Sequence, residues 1–383
     1  MARILILTHE FLPFRGGIAA VSHGLATGAA AIGHEPIVLA PDYYKTAAEL
    51  DTPTGYEVLR FAGATCPIVS VRRLTRFAAL CRRTIQHVKP DVVHAADPPA
   101  QMALTALARL RLTRRYYFTV HGTEALRYKH ELLPRVWMWR AFKSVTKVAA
   151  VSNAVLELLV RELGLPPKRG FVAHPAIADI WHREPAGDRS GVRKHWGAAE
   201  SDVVLLTIAR VVADKGQADV VAALAQLPEA VRKRALYVVI GKGSQRYVAS
   251  LSAVAGSAGV RLLLLGETSD LDAVHAADAA DLFVMPSTQT PKRLEGFGIA
   301  YIEAGSRGLP SLARATGGAG EAVRDGETGV VLPEATGTDA IAAELLRLIE
   351  DATLRKRLGN GARQFARNFT WDRHAAQVYE AFA

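Results

Sequence analysis

The sequence predicts an α/β protein of two domains, each a parallel sheet covered by helices. Three observations carry that reading. At 383 residues the chain exceeds one ordinary domain, and half of its residues are hydrophobic, enough for two cores. Short, wholly apolar runs recur, such as Ile4–Leu7, and strands buried on both faces of a parallel sheet read this way. A strand, loop and helix pattern opens the chain and then restarts at residues 203–224, after a polar, Gly-containing stretch at 182–200 that shows no periodicity. The expected domains are therefore residues 1–185 and 195–368, with residues 369–383 as a closing helix.

In chain order, the segment ARILILTHEF is the first buried strand and ends in Thr8-His9-Glu10. Arg15-Gly16-Gly17 follows, then an apolar-periodic helix over Ala19–Ile32 stopped by Gly33. A strand, a Gly-rich turn and a helix form a phosphate-cradling arrangement, because free N–H groups and the helix dipole both face an anion. The turn is not a GxGxxG, and no acidic residue sits at the ribose-binding distance, so a dehydrogenase reading is weak. Residues 36–41 and Tyr56–Phe61 read as strands, and an Arg-rich amphipathic helix runs from about Val71 to Val88. That helix is either a docking face for an anionic membrane surface or an ordinary solvated face. DVVHAADP places His94 and Asp97 at a strand end, as candidates for an acceptor side. YYFTVHGTEAL is a further strand that puts His121 at the crevice end of the sheet. Residues 127–143 mix cations with Trp137, Trp139 and Phe142, as an interfacial, acceptor-facing or sheet-packing helix would. A strand at 145–152 then leads to Ser152-Asn153, which open the next helix as N-cap residues do.

In the second half, Arg210 and Lys215 bracket the loop after the strand at 203. Two cations beside a helix start make a diphosphate site, with surface residues as the plain alternative. A strand ending at Gly241 and Gly243, a strand at 260–268 and a strand at 281–287 ending in Pro286-Ser287 follow. Residues 291–321 then read PKRLEGFGIAYIEAGSRGLPSLARATGGAGE. Glu295 precedes Gly296-Phe297-Gly298, and Glu303 lies eight positions on, inside a helix. Eight residues span roughly 10–12 Å, which suits two carboxylates gripping separate hydroxyl-bearing parts of one long ligand. It does not suit two carboxylates acting on a single atom.

Composition narrows the partners. A net charge of +10 asks for an acidic partner such as a nucleotide diphosphate, an anionic lipid or a nucleic acid. The basic residues are scattered and no nucleic-acid module is visible, so a nucleic-acid partner is not expected. Cys66 and Cys81 make neither a disulfide framework nor a metal cluster, and a reducing cytoplasm fits. No apolar segment approaches the length of a membrane span, and the run at Ile4–Leu7 is too short for a signal-peptide core.

The stretch EGFGIAYIEA, followed in order by GLP and TGG, resembles the Glu-x7-Glu signature of retaining glycosyltransferases of the family 4 type. Arg210-x4-Lys215, His121-Gly122 and the Gly16-Gly17 turn resemble other motifs of that family. The resemblance implies the GT-B fold, two Rossmann-like domains with parallel sheets and a cleft between them, and a last helix that crosses back to the first domain. It also implies roles. Glu303 would bind the ribose hydroxyls, and Glu295 with the Gly296, Phe297 and Gly298 backbone would hold the donor sugar. Arg210 and Lys215 would stabilise the leaving diphosphate, helped by Gly16 and Gly17. Gly241 would form a turn near the nucleotide, residues 265–268 would touch the base, and His121 would sit by the sugar. The implied donor is a nucleotide diphosphate sugar, GDP-mannose ahead of a UDP-sugar, with no tightly bound cofactor and no metal. EGFGIAYIEA and VHGTE are similar to mannosyltransferases of the phosphatidylinositol mannoside type. The implied acceptor is a hydroxyl of a lipid-linked sugar, a polysaccharide or a small molecule, at the cytoplasmic side of a membrane. A sugar-nucleotide 2-epimerase of the same fold and a non-catalytic nucleotide or nucleic-acid binder are the alternatives.

Overall fold

The structure, a computed structural model, describes the chain apart from residues 15, 51–53, 64–70, 111, 113–114, 185–186, 292 and 380–383. Arg15, Cys66 and the last four residues of the expected closing helix thus lie outside the described residues. The chain divides into two compact units, Met1–Ala178 with Phe369–Ala383, and Asp179–Asn368.

The first unit is built on a seven-stranded parallel sheet. Its strands are β1 (Arg3–Leu7), β2 (Glu35–Pro41), β3 (Glu57–Phe61), β4 (Val92–Ala95), β5 (Arg115–Val120), β6 (Lys147–Ala150) and β7 (Gly170–Val172). The order is β3-β2-β1-β4-β5-β6-β7. Ile4, Leu5, Ile6 and Leu7 are all fully buried, as the unbroken apolar run requires of a strand covered on both faces. The second unit repeats the plan with β8 (Val203–Ile208), β9 (Ala235–Ile240), β10 (Arg261–Gly266), β11 (Leu282–Met285), β12 (Ser311–Arg314) and β13 (Gly329–Leu332). Its parallel order is β10-β9-β8-β11-β12-β13. In each sheet the strand order reverses beside the first strand, between β1 and β4 and between β8 and β11. Chains leave such a switch point in opposite directions and open a crevice at the carboxyl ends of the strands.

Three local expectations change. Residues 182–200, read as unpatterned, contain a helix at Arg189–His195. Its support is polar: Asp188 caps it by accepting from Gly191 N–H at 2.9 Å, and the buried Arg193 donates to Asp281 at 2.9 Å and to the Asp202 carbonyl at 2.7 Å. Apolar periodicity cannot reveal a helix anchored by one arginine. Residues 127–143 are not a single helix but the parts of two, Thr123–His130 and Leu132–Ser144. His94 does not line an acceptor surface. It is fully buried, with Nε2 2.8 Å from Thr119 Oγ1 and Nδ1 2.9 Å from the Tyr379 hydroxyl, and burial pushes its pKa down to about 3, so it stays neutral.

Tyr379 ends the closing helix Trp371–Tyr379, which packs in the first unit against the helix Gly17–Ala31. The fit depends on two glycines one helical turn apart, which let the backbones approach. A Cβ on Gly24 would lie 2.0 Å from the Trp371 indole, and one on Gly28 would lie 1.9 Å from the Trp371 carbonyl oxygen. His374 extends the contact through Nδ1, which meets the His174 carbonyl at 2.8 Å. Gly28→Ala should therefore destabilise the first unit by about 1–3 kcal/mol in urea unfolding, despite the better helix propensity of alanine. Gly337→Ala, where a Cβ meets nothing within 4 Å, is the control and should leave the midpoint unchanged. Equal stability of the two variants would contradict this packing.

Candidate functional site

In the second unit the loop after β8 makes a short turn at Ala213–Lys215 and enters the helix Gln217–Ala225 through Gly216. Gly216 has φ +78°, and a Cβ there would lie 2.4 Å from the Pro286 carbonyl oxygen, so only glycine lets the loop after β8 lie against the end of β11. That close approach delivers Lys215 to the loop after β11. Lys215 Nζ donates to Glu295 Oε2 at 2.6 Å, and Ser287 Oγ donates to the same oxygen at 3.1 Å. The two charged side chains keep only 17% and 10% of their exposure. The Glu295 backbone is fixed as well. Its carbonyl accepts from Gly318 N–H at 2.9 Å, and a Cβ on Gly317 would come within 2.1 Å of that carbonyl. Arg293 pairs with Asp214 at 3.0 Å and ties the two loops together once more.

Arg210 stands at the start of the same loop. Its carbonyl accepts from Gln217 Nε2 at 2.9 Å, while its side chain is exposed and, among the described residues, meets no carboxylate. One cation of the pair is thus held by Glu295, and the other is available to a ligand anion.

Gly298, φ +90°, caps the helix Ile299–Ser306, and a Cβ there would lie 2.5 Å from the Tyr301 ring. Tyr301 is buried and its hydroxyl donates to the Met285 carbonyl, which seats the helix start on the end of β11. Gly296 stays part-exposed, while the Phe297 ring is buried, so its side chain is not presented to a ligand. Glu303 lies within this helix. Burial, with the Asp270 charge adding, raises its pKa to about 7. Gly241 has φ +145°, and a Cβ there would lie 1.9 Å from the Ala209 carbonyl oxygen; its N–H donates to the Gly266 carbonyl at 2.7 Å. The close approach of neighbouring strand ends is therefore sufficient reason for this glycine.

In the first unit His121 follows β5 and remains part-exposed. Its Nε2 lies 2.9 Å from the Ala96 carbonyl, which can only accept, so Nε2 donates to it. Its backbone N–H donates to Glu124. Gly16 is extended and Gly17 opens the helix Gly17–Ala31, with open space where a Cβ on Gly17 would stand. Of the residues expected from the sequence, the structure joins Lys215 directly to Glu295, sets Gly298 beside them and places Arg210 on the Lys215 loop. Ser287, Arg293 and the Gly317-Gly318 pair complete this cluster. Ser287 could have been suspected, since a polar residue closing a buried strand sits where such sheets bind ligands.

Known proteins are similar to this chain along its whole length. Residues 188–365 match the family model for glycosyl transferases group 1, and residues 15–179 match that for glycosyltransferase family 4. The chain is 30% identical over 391 residues to a GDP-mannose-dependent alpha-(1-6)-phosphatidylinositol monomannoside mannosyltransferase of Mycolicibacterium smegmatis, covering 98% of this chain and 97% of that one. It is 33% identical over 237 residues to a D-inositol 3-phosphate glycosyltransferase of Streptomyces bingchenggensis, covering 59% of this chain and 50% of the relative. Among solved structures, Anabaena Alr3699/HepE in complex with UDP and glucose superposes with a TM-score of 0.82 at 21% identity, covering 100% of this chain and 99% of that one. That likeness shows a shared fold, the GT-B arrangement of two parallel-sheet units expected from the sequence.

Glu303 generates a prediction independent of any ligand. Its folded pKa, about 7, lies above its ordinary value of 4.5, so the folded chain binds the proton more tightly than the unfolded one. The stability due to the protonated carboxyl is fully present below pH 4.5 and is lost as pH rises through 7. Glu303→Gln should then be more stable than the parent at pH 8, by about 3 kcal/mol at most, with the gap closing near pH 4.5. Urea unfolding at the two pH values reads this, and a gap that does not depend on pH would contradict it.

Proposed function

The chain belongs to the family 4 glycosyltransferases, and from that premise we propose that it transfers mannose from GDP-mannose to a hydroxyl of a lipid-linked sugar, with retention at the anomeric carbon. The observation that carries the proposal is the Lys215–Glu295 pair with the exposed Arg210 beside it. In this reading Arg210 and Lys215 neutralise the charge that develops on the leaving diphosphate. Charges already in place stabilise such a group with little reorganisation during the reaction. Glu295 takes hydrogen bonds from the donor sugar hydroxyls with the oxygen that Lys215 and Ser287 do not occupy. Glu303 binds the ribose hydroxyls, and a pKa near 7 makes that grip stronger as the carboxyl ionises.

In the transfer step the acceptor oxygen bonds to the anomeric carbon as the bond from that carbon to the phosphate oxygen breaks. The proton of the acceptor hydroxyl passes to the departing phosphate, so no protein carboxylate has to serve as nucleophile. His121 Nδ1 accepts from a sugar hydroxyl and fixes the ring that reacts. The full-length likeness to a GDP-mannose-dependent enzyme supports the donor.

A lipid-linked acceptor also accounts for the basic helix Val71–Val88, where Arg72, Arg76, Arg82 and Arg83 are exposed. Trp139 is exposed too, with Lys143 Nζ 3.4 Å from its ring centroid. Cations and an aromatic side chain of this kind suit an anionic lipid surface. No helix among the described residues is long and apolar enough to cross a membrane.

Turnover of GDP-mannose and UDP-glucose with a mannosylated phospholipid in anionic vesicles tests the reading. GDP-mannose should be consumed and NMR of the product should show the α anomer. Lys215→Ala should lower the rate by about 10²–10³-fold. Preference for UDP-glucose, a β product, or near-normal turnover by Lys215→Ala would each count against it. A rate that is the same in neutral vesicles would remove the membrane-facing part alone.

A further inference from the structure

The switch point of the first sheet gathers Thr8, His9, Glu10, Asp97, His121 and Glu124 at the carboxyl ends of β1, β4 and β5. Two of the three carboxylates are already occupied. Asp97 is buried and accepts from Ala100 N–H at 2.9 Å and from His9 N–H. Glu124 accepts the backbone N–H of His121. The Glu10 carboxylate, half-buried, has no hydrogen-bond or ion-pair partner among the described residues. It is held in place all the same. Glu10 N–H donates to Thr8 Oγ1 at 3.1 Å, and Thr8 Oγ1 lies 3.0 Å from Asp97 Oδ2. The next residue, Phe11, donates its N–H to the Tyr43 hydroxyl at 2.8 Å. The Glu10 side chain then lies along the glycine turn, where a Cβ on Gly16 would be 3.5 Å from Oε2.

A second unmet group sits behind it. His9 is 5% exposed, and its Nδ1 lies 3.8 Å from Asp97 Oδ1, beyond hydrogen-bond distance, with no closer partner among the described residues. Burial and the neighbouring Asp97 charge make ionisation of Glu10 unfavourable, an expense that a purely structural residue has no reason to carry. Among the described residues no lysine or arginine pairs with these carboxylates. A ligand that satisfies the site must bring hydroxyl donors and must not bring an anion.

We propose that Glu10 is a specificity-determining residue for the acceptor, taking hydrogen bonds from the hydroxyls of a neutral polyol and excluding an acceptor that carries a phosphate at that position. The proposal rests on the transferase reading and deepens it. Binding and turnover of methyl α-mannoside and myo-inositol 3-phosphate separate the two ideas, using the full chain with GDP for binding and with GDP-mannose for turnover. Saturation-transfer NMR reads binding whether or not transfer occurs.

The parent should prefer the mannoside. Glu10→Gln should weaken the mannoside about tenfold, seen as a rise in KM at nearly constant kcat, and should tighten the inositol phosphate. The Kd for GDP should stay unchanged. Glu10→Asp, which keeps the charge on a shorter arm and guards against a folding defect in the first variant, should weaken the mannoside while still excluding the phosphate. Unchanged binding of both probes in both variants, equal losses for both probes, or a weakened GDP complex would overturn the assignment, as would a parent that binds neither probe. Glu10-dependent mannoside binding without any transfer would uphold the assignment and overturn only the transferase reading.

Discussion

The ion pair between Lys215 and Glu295 is the constraint on which the second unit's site depends. Two charges taken largely out of water gain little net stability, because the desolvation of each offsets their attraction. The pair is therefore better understood as a positioning device. It closes the loop after β8 onto the loop after β11, and the neighbouring features serve the same closure: Gly216 against Pro286, Ser287 on the same carboxylate oxygen, and Gly318 on the Glu295 carbonyl. Remove either charge and the other is left partly buried without its counter-ion. The result is a joined loop pair on which Arg210 meets no carboxylate among the described residues, on the loop that enters the helix Gln217–Ala225.

The first unit uses the same topology with the opposite electrostatics. Its switch point is lined by carboxylates and by histidines, and its packing behind that edge is tightly specified. The closing helix Trp371–Tyr379 reaches the back of the sheet through Tyr379 and His94, and it can do so only because Gly24 and Gly28 leave room for Trp371. Buried neutral histidines need partners but no charge, so His94 and His374 stitch the helix down without an ion pair. One sheet end thus carries a cation and the other carboxylates without cation partners among the described residues, the contrast that the proposed transfer from a sugar nucleotide to an alcohol calls for.

Much of this could be read in the sequence, and the reasons are physical. Parallel strands buried on both faces declare themselves as unbroken apolar runs, so β1, β8 and β9 were legible without any partner. Glu295 and Glu303 stood out because EGFGIAYIEA, GLP and TGG follow one another in the order of the family signature they resemble. What could not be read depended on contacts distant in sequence. The spacing of Arg210 and Lys215 pointed to two equivalent cations, whereas the fold commits Lys215 to Glu295 and leaves Arg210 free of carboxylates among the described residues. His94 looked like a site residue because it ends a strand, but Tyr379, far along the chain, takes it into the core. The helix Arg189–His195 was hidden in a polar stretch because its anchor is one buried guanidinium. Glu10 was visible as a strand end, but its unsatisfied carboxylate appears only once Asp97 and Glu124 are seen to be occupied.

The central claim is that the cations after β8 bind the diphosphate of the donor. Comparing the affinities of GDP and GMP by calorimetry, in the parent and in Arg210→Ala with Lys215→Ala, isolates that contribution, because the two ligands differ only in the terminal phosphate. The parent should favour GDP by about 100-fold, as one charge-assisted contact for each cation would give, and the preference should nearly vanish in the double variant while GMP binds as before. An equal GDP preference in both proteins would place the diphosphate elsewhere and contradict the claim.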